Sequence, residues 1–271
     1  AERTGLQIAL SHDGTREAHD LNRVDAAGRG TFEALEGKLR LLLERRPYSP
    51  IMMVVTPETV GRLAAGVRHL RERGVRYIIC SLNHAGRWDD RSLRTLRKQY
   101  LKLENWYLDA LGQGQKIYFS PFDKRIATHI SGRDTSSCRV GRRQISVAPD
   151  GTLYPCVQFA GTGRYPIGTV DEGVRHDLLA EVSSLTESDK PECAGCALLG
   201  RCHNKCGCLN MQVTGDPGRV PPILCEHERL IFPIVDRVAE KLYARRDPLF
   251  IQRHYNPLFP VLSFLEDIAG S

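Results

Sequence analysis

Cys193-Ala-Gly-Cys196-Ala-Leu-Leu-Gly-Arg-Cys202-His-Asn-Lys-Cys206 is the stretch whose reading decides the fold. It spells C-x2-C-x5-C-x3-C. Cys208 and Cys225 follow it, and Cys138, Gly151 and Cys156 precede it. Twelve residues separate Cys138 from Gly151, and four separate Gly151 from Cys156. Eight of the nine cysteines therefore fall between positions 138 and 225. Core packing has no use for such spacing. Thiols this dense hold a metal or a cluster, or they pair as disulfides.

Composition narrows the choice. With 271 residues, 41% of them apolar, the chain can bury the core of one large domain or two moderate ones. No secretory signal pattern is visible, and no apolar run is long enough to cross a membrane. The cysteine count is odd, and a long cysteine-poor segment precedes the cluster, unlike small secreted disulfide scaffolds. The reading is a reducing cytoplasm, no membrane and thiolate ligation, with disulfides as the lesser alternative. A net charge of +6 suits anionic ligands but is too weak a bias to argue for nucleic acid.

Outward from the cysteines, residues 1–115 read as three strand–helix units. Residues 6–10 form a short apolar strand that ends in the turn Ser11-His-Asp-Gly14, and a helix pattern follows around 32–43. The near-continuous apolar run 51–56 suits a strand buried on both faces of a parallel sheet. Thr56 is read as an N-cap with Pro57 at the first helical position, and Gly74 ends that helix. The third strand, 77–81, precedes a long helix over about 90–110, whose buried stripe is Leu93, Leu96, Tyr100, Leu103 and Tyr107. Such alternation implies a parallel α/β sheet. The carboxyl ends of its strands, where chemistry collects, carry Ser11-His12-Asp13, Thr56 and Asn83-His84. Taken singly, these are turn formers, helix caps and surface histidines. Cys80, on an apolar strand, reads as core packing.

Residues 116–271 read as an irregular, cysteine-bearing domain with a C-terminal helix and tail. The stretch 117–123 links the two parts as a strand passing into a short helix. Asp150-Gly151 marks a β-hairpin that returns Cys156 toward Cys138. The stretch 183–219 reads as loop that metal must hold together. Leu230, Ile234, Val235, Val238 and Leu242 form a helical stripe, with Pro233 starting or kinking the helix.

Eight thiols suffice for two four-thiolate zinc sites, although the chain has only one C-x2-C pair and no H-x3-5-H element. Iron–sulfur cubanes take Cys thiolates at looser spacing. The full pattern resembles the SPASM domain, the auxiliary-cluster module of radical S-adenosylmethionine enzymes, whose signature is C-x9-15-G-x4-C, C-x2-C-x5-C-x3-C and a last C. Cys138, Gly151, Cys156, Cys193, Cys196, Cys202, Cys206 and Cys225 satisfy it. Upstream, Ser11-His-Asp-Gly14 and His19-Asp-Leu-Asn-Arg23 look like the S-x-D-G…H-D-x-x-R segment at the fourth strand of those enzymes' six-stranded partial barrel. The implied fold is α/β: the C-terminal half of a partial (β/α)6 barrel followed by the auxiliary-cluster domain. The resemblance covers roughly residues 5–245.

The resemblance implies two auxiliary 4Fe–4S clusters, an inner one on Cys138, Cys156 and Cys206 and an outer one on Cys193, Cys196, Cys202 and Cys225. Relatives with a full inner cluster carry a further cysteine a few residues after the first. Here 139–144 holds no thiol, so the inner cluster keeps an open iron, or takes Cys208 or a non-cysteine ligand. Cys208 as a buried bystander is an equal reading. Ser11 and Arg23 are implied to contact the methionine part of S-adenosylmethionine, Arg23 as a carboxylate partner. Implied partners are a peptide or protein substrate and a reductant such as a ferredoxin or flavodoxin.

Two departures qualify the resemblance. The C-x3-C-x2-C loop that binds the radical-generating cluster does not occur in these residues. The expectation is a C-terminal portion of a longer enzyme whose third cluster lies upstream, about 90 residues at about 30 per missing strand–helix unit. Alone, this portion is expected not to cleave S-adenosylmethionine. In relatives that oxidise sulfatase cysteines, an Asp follows the equivalent of Cys156 and takes a proton. Val157 stands there and cannot, which argues against that reaction. The leading reading is peptide or protein modification by hydrogen abstraction, followed by oxidation or cross-linking. A non-enzymatic iron–sulfur relay or scaffold and a zinc-binding adaptor are the rivals.

Overall fold

The structure, a computed structural model, describes residues 6–132 and 140–269. It divides into two units: residues 1–127 with 230–271, and residues 128–229.

The first unit opens with β1 (Leu10–Ser11), α1 (Arg16–Asn22) and α2 (Phe32–Arg45). It continues through β2 (Ile51–Val55), α3 (Leu63–Glu72), β3 (Tyr77–Leu82), α4 (Asp90–Gly112), β4 (Tyr118–Phe119) and the start of α5 (Ser120–Ser131). The four strands form one parallel sheet in the order β1-β2-β3-β4. The link at 117–123 is thus a fourth strand–helix unit, one more than the three expected. β1 is shorter than residues 6–10 suggest, because only Leu10 and Ser11 pair with β2.

β2 corrects a second expectation. Ile51, Met53 and Val55 are buried, but Met52 and Val54 are each 37% exposed. The sheet is covered on one face there and open on the other. An unbroken apolar run cannot distinguish these cases, because alternation shows only when the open face is polar.

The helices begin where side chains satisfy their first amides. Thr15 Oγ1 accepts from Ala18 N to start α1, and Asp89 with Ser92 forms a capping box on α4. Thr56 does not cap a helix directly. It closes a turn with Thr59, a one-turn 3-10 segment (Val60–Arg62) follows, and α3 starts at Leu63. Gly14 (φ +87°) abuts Gly66 of α3, where an added Cβ on Gly14 would sit 2.3 Å from the Gly66 Cα. The loop after β1 therefore lies directly on the α3 backbone, which only glycine allows.

A buried carboxylate ties β4 to the helices. Asp123 on α5 accepts from Phe119 N (2.7 Å), from the buried Tyr107 hydroxyl on α4 (2.9 Å) and from Arg253 Nη1 (2.7 Å).

In the second unit, β5 (Ser146–Val147) and β6 (Leu153–Tyr154) form the antiparallel hairpin expected around Asp150-Gly151, with Gly151 at φ +85°. A smaller hairpin, β7 (Gly168–Thr169) with β8 (Gly173–Val174), follows. α6 (His176–Glu187) and α7 (Gly207–Thr214) occupy parts of the stretch expected to be loop. α7 ends at Gly215, whose positive φ of 80° lets its N–H reach Met211 O. Between these helices, 188–206 holds only the 3-10 turn Pro191–Cys193. α8 (Pro222–Ala244) belongs to the first unit from Leu230 onward and contains Pro233 in its interior rather than at its start. Ile231, Ile234, Val235, Val238 and Leu242 are buried along it. α9 (Pro248–Tyr255), which carries Arg253, and α10 (Phe259–Ala269) complete the chain. No described helix is long and apolar enough to cross a membrane.

Candidate metal centres

Cys193, Cys196, Cys202 and Cys225 line one solvent-open pocket in the second unit. Consecutive turns aim them inward. Cys196 N donates to Cys193 O (3.1 Å), and Cys202 N donates to Leu198 O (3.0 Å). Cys225 enters from the first turn of α8. Cys193 packs with Val220 and Leu224, which gives this wall an apolar base. Buried Asn204 donates its Nδ2 to Cys193 Sγ (3.4 Å). Asn210, fully buried, donates to Asn204 O (3.0 Å) and Pro217 O (3.1 Å), bracketing the loop from both sides. Such N–H donors to ligand sulfur steady the thiolate and tune a bound centre. Sequence reading passed over both asparagines, since a polar residue in a loop carries no periodic signal.

A second group of thiols lies apart from that cavity. Cys156 precedes a one-turn 3-10 segment (Val157–Phe159), and Cys206 is the N-cap of α7. Cys208 lies within hydrogen-bonding reach of both sulfurs. That bond is the main cause holding the Cys156 thiol down to about 6, against the opposing effect of burial. Cys206 is held well below the ordinary thiol range, first by Cys208 and then by His203. Cys208 is pushed the other way by its two neighbours and by burial. Gln144 Nε2 donates to Cys156 Sγ at 3.4 Å. Cys138 lies outside the described residues. Cys80 is buried on β3, and burial pushes its thiol up to about 12, as for an inert core residue.

The donor chemistry discriminates between metals. A zinc–thiolate tetrahedron, with Zn–S near 2.3 Å, needs sulfurs roughly 4 Å apart. Among the described residues, no three cysteine sulfurs lie within 4.8 Å of one another. The four thiols around the open pocket are not gathered into that tetrahedron.

At the sheet rim, Ser11 is exposed at the end of β1. Arg23, at the end of α1, forms a bidentate pair with buried Asp13: Nε to Oδ2 at 2.6 Å and Nη2 to Oδ1 at 2.9 Å. Asp13 Oδ1 also accepts from Val54 N (2.8 Å). His19 Nδ1 accepts from Asp13 N, and Asp20 accepts from Phe32 N at the start of α2. The H-D-x-x-R residues thus hold this rim together, and the Arg23 edge bearing Nη1 is not used in the Asp13 pair.

His12, expected at the surface, is fully buried. Its Nε2 lies 3.5 Å from Glu36 Oε1, and His69 Nε2 lies 4.0 Å from the same oxygen. The three ligand atoms fall within 4.8 Å, yet the tautomers exclude a metal. His12 Nδ1 accepts from Gly14 N, and His69 Nδ1 accepts from Arg73, which can only donate. Each ring therefore keeps its proton on Nε2 and turns that N–H toward Glu36. Burial lowers His12 to about 4, with His19 and His69 adding to the effect and Glu36 opposing it. His12 is thus lower in the folded chain than its ordinary 6.5, so the folded state binds fewer protons between pH 6.5 and about 4. Stability is full above that window and falls through it, by up to about 3 kcal/mol from this group. His254, also held to about 4 by burial, adds in the same direction. In urea titrations, His12→Leu should flatten the loss between pH 6.5 and 4. An unchanged slope would remove this assignment.

No family model matches the chain. It is similar to the cysteine-type anaerobic sulfatase-maturating enzyme of Clostridium perfringens strain ATCC 13124, with 27% identity over 215 residues, covering 73% of this chain and 57% of the relative. The strain 13 enzyme is 29% identical over 182 residues (63% and 48%), and that of Clostridium novyi is 23% identical over 244 residues (83% and 63%). The chain spans about half to just under two thirds of these curated relatives' length. Among solved structures, native anSMEcpe with bound AdoMet matches with a TM-score of 0.70 at 20% identity, over 89% of this chain and 70% of that one. Native anSMEcpe with bound AdoMet and Kp18Cys peptide matches at 0.66 and 19% identity, over 88% and 70%. The chain is homologous to part of these radical S-adenosylmethionine enzymes of the SPASM type, and it shares their α/β fold with parallel sheet and C-terminal helix.

Proposed function

We propose that these residues form the auxiliary-cluster portion of a radical S-adenosylmethionine enzyme that modifies a peptide or protein. The observation that carries this is the separation of the thiols into two groups, four around one cavity and Cys156, Cys206 and Cys208 apart from it. The outer 4Fe–4S cluster is assigned to Cys193, Cys196, Cys202 and Cys225, and the inner to Cys138, Cys156 and Cys206. When bound, such clusters pass single electrons. The chain's own share is to hold the thiolates, donate to their sulfurs through Asn204 and Gln144, and keep the inner group in an apolar core with Phe159 and Val182. Ser11 and the open edge of Arg23 are assigned to the methionine carboxylate of S-adenosylmethionine, with Asp13 fixing the guanidinium plane. The boundary between barrel and cluster portions, expected near residue 115, is placed near residue 127, after the fourth strand–helix unit.

A peptide substrate is supported by the solved neighbour with bound Kp18Cys peptide. Val157 is 63% exposed and offers no proton acceptor. The reaction is therefore assigned as peptide oxidation or cross-linking in which another group takes the proton, with a ferredoxin or flavodoxin as reductant. Anaerobic reconstitution with iron and sulfide should load about eight of each per chain. Loading that stops near four defeats the two-site assignment, and zinc uptake without sulfide defeats the reading as a whole. The 271 residues contain no C-x3-C-x2-C, so the loaded chain should not release 5′-deoxyadenosine from S-adenosylmethionine.

A further inference from the structure

The β5–β6 hairpin has one bare edge. Ser146 stands opposite Tyr154, and Ala148 N donates to Thr152 O at 2.9 Å. Along an antiparallel ladder, backbone groups point alternately toward the partner strand and away from it. Ser146 and Ala148 turn theirs toward β6, so Val147, and by the same alternation Ile145, turn their N–H and C=O outward. The far side of β6 is taken: Leu153 O accepts from Ile167 N (2.8 Å), and Thr152 bridges Thr169 of β7. Among the described residues, nothing bonds to the outward groups of Ile145 and Val147. Tyr154, opposite Ser146, is buried in the core, so the hairpin is anchored through its other face.

Bare edges are ordinarily blunted by charge, proline or a covering segment. This one is apolar. Ile145 is 44% and Val147 59% exposed, and the two lie on one face, two positions apart. Its ends differ in charge. Arg142 and Arg143 precede it, both exposed and without an ion-pair partner among the described residues. Asp150, exposed at the hairpin tip, follows it.

We propose that β5 takes up an extended, acidic segment of the peptide substrate as an added antiparallel strand. The segment's backbone bonds Ile145 and Val147, and two alternate apolar side chains lie over theirs. Antiparallel addition brings the residues C-terminal to that apolar pair beside Arg142 and Arg143, which fit carboxylates there. This deepens the peptide-modification reading and rests on it for the identity of the strand. Docking is non-covalent and involves no redox step.

The test is fluorescence anisotropy of a labelled hexapeptide, Thr-Val-Thr-Val-Glu-Glu, titrated with the anaerobically reconstituted full chain. Iron and sulfide are measured on the same samples. In the proposed register the two valine N–H groups bond the edge, and the N–H of the threonine between them faces away. N-methylation of both valines should weaken binding at least about tenfold, and N-methylation of that threonine by less than about twofold. Val147→Pro removes an outward donor without touching the β6 ladder and should also cost about tenfold. Arg142→Ser/Arg143→Ser, which stands in if the proline variant loses its iron, should weaken binding about fivefold at low salt and less at high salt. A chain loaded with about eight irons that fails to bind the peptide overturns the proposal. Equal losses for the two methylated peptides overturn it too, because strand pairing is then not the contact. Sedimentation showing a dimer that the peptide does not dissociate would give the edge to a second copy and overturn it as well. A chain that binds the peptide but takes up no iron or sulfide would instead overturn the cluster reading, and with it the strand's identity as substrate.

Discussion

Cys196→Ala is expected to remove the outer cluster and, with it, the order of residues 188–206. That stretch holds one 3-10 turn and no strand. Fixing its backbone costs about 1–2 kcal/mol per residue. The local apolar core is Cys193, Val220 and Leu224, worth about 1.5–3 kcal/mol per side chain. The asparagine bracket adds about 1 kcal/mol per hydrogen bond. These sums fall short, so ligation supplies the difference, as in metal-dependent folds generally. The cavity is open to solvent, so a cluster that loses one of its four thiolates there is exposed to hydrolysis. Iron and sulfide should fall by half, and proteolysis within 188–206 should accelerate at least tenfold. Unchanged cutting rates with full loss of iron would mean that the loop stands without its metal.

Asp123→Ala should be the most damaging single change in the first unit. Three donors converge on this carboxylate, and the Tyr107 ring and hydroxyl are fully buried. Removal strands a largely buried Arg253 guanidinium, the Tyr107 hydroxyl and the Phe119 amide together. Breaking a buried ion pair from one side costs about 3–5 kcal/mol. Guanidinium denaturation should show a lower midpoint at unchanged slope. The double variant Asp123→Ala/Arg253→Met should recover part of the loss, because no uncompensated charge then remains. A single-variant loss below about 1 kcal/mol would show that water reaches these donors.

Spacing along the chain made some of this legible and concealed the rest. The cysteine-rich region could be located because C-x2-C and C-x3-C reflect turns, and turns are local, whereas the division of its thiols between two sites came from the family resemblance alone. The Asp150-Gly151 hairpin and the stripe on α4 were visible for the same reason. β2 concealed its open face because Met52 and Val54 are as apolar as the residues behind them. α6 concealed itself because only Val182 and Thr186 along it are buried, too few to show a period. The His12–Glu36–His69 group joins positions far apart in sequence, and only folding brings them together.

The contact between Gly14 and Gly66 gives two residues without chemistry control over one that has it. Asp13, the anchor for Arg23, is seated by the loop that Gly14 lays on α3. A single methyl group on Gly14 would lever that anchor away from its guanidinium, though no reactive atom had been altered. The rim is tuned here by empty space, and a mutation far from any ligand in chemical character would be felt as though it had struck one.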